Sequence, residues 1–288
     1  MRQFILDKEP DRNGLLQIAG KDYRYLCQVI RVKAGDMLYV RLPGGKLTNA
    51  TVCKIDGANK IMTAQICSLS DEDSAIPFSE NIKSSVTNGI QAIEIQNELR
   101  NAETNANKSV DYTLIQFIPK PAKMEQIIRQ AAECGVKRII PVKGEYSQKT
   151  SVQALENSAK RERILKIIKE ARQQSGSPIE TGVENPMPLE DAVKLLKEDF
   201  VNADESVSVV FWERNENSKS LKKLVSGRKI KNAAIAVGSE GGISPREIDF
   251  LASQGFSSVH FEGNILRCET ASLFGIAALQ TTIRNENE

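Results

Sequence analysis

Ala233-Ala234-Ile235-Ala236-Val237-Gly238-Ser239-Glu240-Gly241-Gly242-Ile243-Ser244-Pro245-Arg246-Glu247 decides the fold. Five apolar residues in a row read as a buried strand. Three glycines in the next five allow close backbone approach to a ligand. Ser244 then fits an N-cap, Pro245 the first helical position and Glu247 the third, a capping box that starts a helix. A glycine-rich loop at the carboxyl end of a buried strand is where open α/β sheets bind ligands. The pattern is neither G-x-G-x-x-G nor a P-loop, so neither dinucleotide nor NTPase chemistry follows. The alternative is a tight strand-to-helix connection whose glycines serve geometry only.

Working outward, Ser258–Phe261 reads as the next strand and Ala271–Ile283 as a closing helix. The loop between them carries Arg267, Glu269 and Thr270. Thr270 suits a helix cap, and Arg267 and Glu269 suit an ion pair. Alternatively the two loops, one strand apart, close around one ligand. Upstream, Tyr112–Ile118, Val136–Val142 and Ser206–Phe211 read as strands. Lys123–Cys134 places Met124, Ile127, Ile128 and Ala131 on one helical face, and Lys160–Gln173 does the same with Ile164, Ile167, Ile168 and Ala171. This alternation predicts an α/β fold, a mostly parallel sheet with helices on both faces.

Residues 1–75 differ. Short apolar runs at Phe4–Leu6, Leu15–Ala19, Met37–Leu42, Thr48–Ile55 and Ile61–Leu69 are separated by turn signals such as Asn13-Gly14 and Asp56-Gly57. They predict a small β-barrel with one helix at Tyr23–Val32. Residues 76–109 are polar and read as a linker or insertion, with one short element at Ile90–Ile95. The expected organisation is therefore 1–75, 76–109 and 110–288.

The net charge of +2, from 39 basic and 37 acidic residues of 288, conceals a segregation. Residues 1–60 hold 11 basic and 6 acidic side chains, and residues 71–107 hold 2 and 7. Residues 119–149 hold 7 basic and 3 acidic, and residues 160–172 hold 6 and 2. Two basic regions can thus face a polyanion, or can be ordinary solvated surface. The single histidine, His260, excludes most histidine-based zinc sites and disfavours a Ser-His-Asp triad. Five scattered cysteines with no C-x-x-C pair read as reduced thiols of a cytoplasmic protein, with no metal site. No apolar run is long enough for a signal peptide or a membrane span.

Gly238-Ser239-Glu240-Gly241-Gly242-Ile243-Ser244 with Glu247, and Ile265-Leu266-Arg267-Cys268-Glu269-Thr270-Ala271, resemble the paired C-terminal motifs of the RsmE family. These are SPOUT-class methyltransferases acting on N3 of a uridine in 16S ribosomal RNA. Met124-Glu125 through Gly135-Val136, Glu170-Ala171-Arg172-Gln173-Gln174-Ser175-Gly176, and Tyr25-Leu26-Cys27-Gln28-Val29-Ile30-Arg31-Val32-Lys33-Ala34-Gly35-Asp36 are similar to further family segments, in order. The resemblance implies a PUA-like RNA-binding barrel followed by a trefoil-knotted SPOUT domain, an exception to the usual absence of knots. It implies a homodimer that uses S-adenosylmethionine and acts on 16S rRNA of the small ribosomal subunit. It implies cofactor contacts from Gly238, Glu240, Gly241, Gly242, Ile265, Leu266, Thr270 and Ala271, and RNA contacts from Arg2 and Arg31.

The chain departs from the family at four places. Ser239 stands for a usual proline, Phe261-Glu262-Gly263-Asn264 for Leu-Gly-x-Arg, Ser177 for an arginine and Tyr25 for a histidine. Losing two arginines weakens electrostatic capture of RNA. The implied reaction starts from an already activated methyl donor. It needs N3 placed in line and its proton removed or offset, with the base unpaired or flipped. Glu269 is the carboxylate for that proton and Arg267 the cation for charge spreading onto uracil oxygens. His260 alternates with Phe261 on a strand and reads as structural. Two other readings stay open: another SPOUT activity such as ribose 2′-O-methylation, and a non-catalytic RNA-binding assembly factor.

Overall fold

The computed structural model describes residues 3–67, 110–214, 218–261 and 263–287. The chain forms two compact units, Met1–Asn107 and Lys108–Glu288. Arg2 and the expected linker 76–109, with its short element, lie outside the described residues.

The first unit is a curled five-stranded sheet of β1 (Phe4–Ile5), β2 (Leu15–Ala19), β3 (Met37–Arg41), β4 (Leu47–Asp56) and β5 (Ile61–Cys67). Its order is β1-β3-β4-β5-β2, antiparallel except for the β1–β3 pair. Alternate residues such as Leu16, Ile18, Val40, Ala50, Val52, Met62 and Ala64 face one core, as a half-buried strand pattern demands. A bulge between Val52 and Lys54 bends the longest strand. The expected helix at Tyr23–Val32 is present with different bounds and a different coil. Gly20–Tyr23 (α1) is α-helical and Arg24–Ile30 continues it as a π-helix. Arg31, in the left-handed region at φ +63°, ends it, and the Val32 N–H bonds back to the Leu26 carbonyl at 3.1 Å.

The second unit holds a six-stranded, wholly parallel sheet. Its strands are β6 (Asp111–Phe117), β7 (Arg138–Val142), β8 (Gly182–Val183), β9 (Ser206–Phe211), β10 (Asn232–Val237) and β11 (Ser257–Val259), in the order β11-β9-β10-β6-β7-β8. Helices α2 (Pro121–Glu133), α3 (Lys149–Glu156), α4 (Ser158–Ser175) and α8 (Cys268–Asn287) pack on one face, together with the short α6 (Leu221–Val225). Helices α5 (Leu189–Asp199) and α7 (Pro245–Ser253) cover the other. The strands alternate between the two cores: Leu114, Ile235 and Val237 face the first, and Ile115, Ala234 and Ala236 the second. Burial on both faces is why β10 reads as an unbroken apolar run. Among the described residues no helix is long and apolar enough to cross a membrane.

An ion cluster pins α2 to α4. The Glu125 carboxylate accepts both arms of the Arg163 fork at 2.9 and 2.8 Å and pairs with Lys160. The Arg163 hydrogen bonds hold its pKa down at about 2, against a smaller opposing effect of burial. A carboxylate depressed in the folded state stabilises above its unfolded value of 4.5, and that stabilisation is lost as pH falls through about 2. Glu125→Gln is therefore expected to lower the thermal midpoint at pH 7, at a cost of about 1 kcal/mol. The gap from wild type should narrow below pH 4 and vanish near pH 2. An equal gap at pH 7 and pH 2, measured by circular dichroism melts, contradicts it.

Candidate active site

The parallel sheet brings the carboxyl ends of β9, β10 and β11 together. Val237 is in register with Phe211 on one side and with Gln116 on the other. The loops leaving these ends and the start of α8 enclose a cavity of about 480 Å3. That volume suits a nucleoside-sized ligand.

The glycine loop turns tightly. The Gly242 N–H bonds back to the Ser239 carbonyl at 3.0 Å, and Gly242 sits at φ +79°. A side chain on Gly238 would stand 2.7 Å from the Gly242 carbonyl carbon, so only glycine permits this fold-back. The capping box forms as its sequence implies. The Glu247 N–H donates to Ser244 Oγ at 3.3 Å and the Ser244 N–H to Glu247 Oε2 at 2.9 Å. Glu247 does more than cap: its Oε1 accepts the Glu145 N–H at 2.8 Å, tying the loop after β7 to α7.

Glu240 reaches back to α2. Its oxygens accept the Lys120 N–H at 3.2 and 3.3 Å, at the N-terminus where a helix dipole favours a negative charge. Lys123, one turn into α2, lies 3.6 Å from Glu240 and 3.2 Å from Glu269. One lysine thus holds an acid from each loop. Burial opposes ionisation of Glu269, but its own N–H, the Cys268 thiol and Lys123 outweigh this and keep its pKa below the ordinary value. Burial, with Glu269 beside it, pushes the Cys268 thiol up to about 12, so Cys268 stays an unreactive thiol.

Behind the loops lies a buried polar hub. Gln116, fully buried in β6, donates through Nε2 towards the carbonyls of Phe117, Val237 and Gly238 at 3.0, 3.2 and 3.1 Å. Its Oε1 accepts from Ser272 of α8 at 2.7 Å. One side chain therefore fixes the end of β10 against the first turn of α8.

Of the residues singled out from the sequence, Gly238, Glu240, Gly241, Gly242, Ile265, Leu266, Arg267 and Ala271 line the cavity. Glu269 stands behind the wall, held by Lys123 and not by Arg267. Thr270 is exposed inside the first turn of α8, which begins at Cys268, so it caps nothing. Arg31 is exposed on the first unit. His260 lines the cavity, and its Nδ1 lies 3.3 Å from the Trp212 carbonyl, to which the Nδ1-protonated tautomer donates. Of the departures, Asn264 and Gly263 are cavity residues, and the buried Ser239 Oγ meets no hydrogen-bond partner among the described residues. Ser177 is buried in the turn after α4, where its Oγ accepts the Ile179 N–H at 3.3 Å.

Lys123, Gln116 and the segment Trp212–Glu213 are site residues the sequence reading did not single out. The available signals were a lone glutamine inside the apolar run Tyr112–Ile118 and charged residues directly after a buried strand. Among the described residues no cluster of histidine, cysteine, aspartate and glutamate can hold a metal.

The model of the RNA methyltransferase domain matches residues 106–280. The "Ribosomal RNA small subunit methyltransferase E" of Aquifex aeolicus is 33% identical over 162 residues, 56% of this chain and 64% of its own length, so the match spans just under two thirds of that relative. The "Ribosomal RNA small subunit methyltransferase E 2" of Borreliella burgdorferi is 26% identical over 290 residues, covering 100% of both chains. A solved structure of the ribosomal RNA small subunit methyltransferase E of Neisseria gonorrhoeae, bound to S-adenosyl methionine, shares the fold. Its TM-score is 0.68 at 21% identity, with 98% of this chain and 97% of that one covered.

Proposed function

The chain belongs to the RNA methyltransferase family, whose model covers residues 106–280, and from that membership we propose that it transfers a methyl group from S-adenosylmethionine to N3 of a uridine in small-subunit 16S ribosomal RNA. The observation that carries this reading is the cavity of about 480 Å3 closed by the two loops whose sequences resemble the RsmE motifs. Full-length similarity to a relative named as a small-subunit rRNA methyltransferase supports the target.

When bound, S-adenosylmethionine supplies a methyl group already activated on a positively charged sulfur. The cavity suits it: a tight glycine loop offers backbone groups without side chains in the way, and Phe211, Val237 and Leu266 offer apolar walls. In this reading Gly238, Gly241, Gly242, Ile265, Leu266 and Ala271 hold the cofactor by backbone and apolar contact. Glu240 positions the glycine loop through Lys120 and Lys123. Thr270, exposed at the start of α8, reaches the cofactor only from outside the cavity wall. Arg267, exposed on the second loop, offsets negative charge developing on the uracil oxygens. Glu269, ion-paired to Lys123, acts through that lysine, with any N3 proton passing to solvent.

The first unit serves as a PUA-like RNA-binding module, with Arg2 and Arg31 as contacts. The second adopts the trefoil-knotted SPOUT arrangement and pairs with a second copy in the cytoplasm. Phe274 on α8 and Ile265, large apolar residues 48% and 84% exposed, suit that contact.

The test is methylation of small ribosomal subunits that lack the modification, read by nucleoside mass spectrometry. The expected product is 3-methyluridine in 16S rRNA, dependent on S-adenosylmethionine. A 2′-O-methylated nucleoside instead replaces this reading with ribose methylation. No product despite calorimetrically detected cofactor binding replaces it with a non-catalytic assembly role.

A further inference from the structure

The cavity contains one carboxylate that the site leaves uncommitted. Glu240 is engaged by the Lys120 amide and by Lys123, and Glu269 by the same lysine. Lys123 and Arg267, both lining the cavity, balance these two acids, and a third carboxylate leaves one negative charge in excess. That carboxylate is Glu213. It follows β9 directly and lines the cavity. Its two oxygens stand 3.6 and 3.7 Å from where a Cβ on Gly242 would be, so it flanks the backbone of the glycine loop. Among the described residues no hydrogen bond or ion pair engages it.

The wall beside it is apolar. Phe211 and Phe261 both line the cavity and stack with ring centres 4.8 Å apart. Apolar walls keep water away and strengthen a charge–charge interaction. A surplus of negative charge is a poor fit to a polyanionic RNA and a good fit to a cation.

We propose that Glu213 is the counter-ion of the methyl donor, recognising S-adenosylmethionine by the positive charge on its sulfur. This deepens the function proposed above and rests on it. Methyl transfer breaks the sulfur–carbon bond, leaves its electron pair on a neutral thioether, forms the nitrogen–carbon bond and releases the N3 proton to water. The charge that Glu213 holds therefore disappears with turnover, and the spent product, S-adenosylhomocysteine, loses that attraction. A group that stabilises the bound donor more than the transition state cannot speed the chemical step. Glu213 works in capture and release.

The test is calorimetric titration of wild type, Glu213→Gln and Glu213→Asp with S-adenosylmethionine and with S-adenosylhomocysteine. Both ligands carry the same amino and carboxyl groups, so the ratio of their affinities isolates the sulfur charge. Glu213→Gln is expected to weaken the donor about tenfold and leave the product within about twofold, as loss of one partly screened charge pair implies. Glu213→Asp should keep most of the discrimination. Single-turnover transfer at saturating donor should be no slower than in wild type, because the lost stabilisation belonged to the bound donor more than to the transition state. Equal weakening of both ligands overturns the proposal and assigns Glu213 to the shared amino group. An unchanged ratio with a slowed single turnover overturns it in favour of a proton acceptor. If wild type binds neither ligand, the methyltransferase reading itself fails. If wild type binds both and Glu213→Gln keeps the ratio, only the counter-ion role fails.

Discussion

Gln116→Leu is expected to cost the second unit about 3 kcal/mol of stability and to abolish ligand binding in the cavity. Leucine matches the volume but neither the donors nor the acceptor. The carbonyls of Val237 and Gly238 lose their side-chain partner in a fully buried setting, and stranding each costs about 1–3 kcal/mol. Ser272 loses less, because its hydroxyl also reaches the Cys268 carbonyl at 2.8 Å. Urea denaturation should show a lower midpoint at unchanged slope. Ligand titration well below that midpoint should show no binding, since the end of β10 and the start of α8 are no longer held together. A loss below about 1 kcal/mol in a variant that still binds shows that the hub is dispensable.

Gly238→Ala is expected to weaken binding of S-adenosylmethionine about a hundredfold, on the scale of two lost backbone hydrogen bonds. The added methyl meets Gly242 backbone atoms at 2.7 to 2.9 Å, and backbone does not swing aside as a side chain does. The loop must open, and opening it displaces the groups lining the cavity. The strain costs about 1–3 kcal/mol of stability, as overpacking does. Titration calorimetry beside a thermal melt separates the two effects. Wild-type affinity in a variant of lowered melting temperature makes Gly238 a packing residue only. Gly241→Ala is a useful comparison: its methyl meets Tyr146 Cβ at 2.9 Å, an atom that side-chain rotation does not move, so it too should strain the loop.

The α/β frame was legible because β10 is apolar on both faces and because α2 and α4 carry clear helical stripes. Leu15–Ala19 and Ser206–Phe211 form with the bounds their sequences suggest, and the helix after the glycine loop starts at Pro245 as its capping box implies. Helix α5 escaped although Leu189, Ala192, Val193 and Leu196 carry the right spacing. Six of its eleven residues are charged, which masks the stripe. Helix α6, five residues long, is too short to show a period, and β8 is a two-residue edge strand. The two loops were legible through glycine density and the capping box. Lys123, Gln116 and Glu213 were not, because their roles depend on strand order. Only the pairing of Val237 with Phe211 on one side and Gln116 on the other puts them at the same place.

The hydrogen bond between Gln116 and Ser272 joins positions 156 apart in sequence. Loops of that span close slowly, and parallel sheets, whose neighbouring strands are joined by long crossovers rather than tight turns, fold slowly as a class. The order β11-β9-β10-β6 pairs β10 with the preceding strand β9 on one side and with the distant β6 on the other, Asn232 lying opposite Asp111. The ligand cavity is thus among the last parts to exist during folding. Partly folded chains have nothing for a ligand to hold, so a ligand acts on the finished molecule alone, pulling the equilibrium towards it by mass action. Refolding experiments should then find binding competence recovered after the bulk of the helical signal, with a lag that marks the docking of α8.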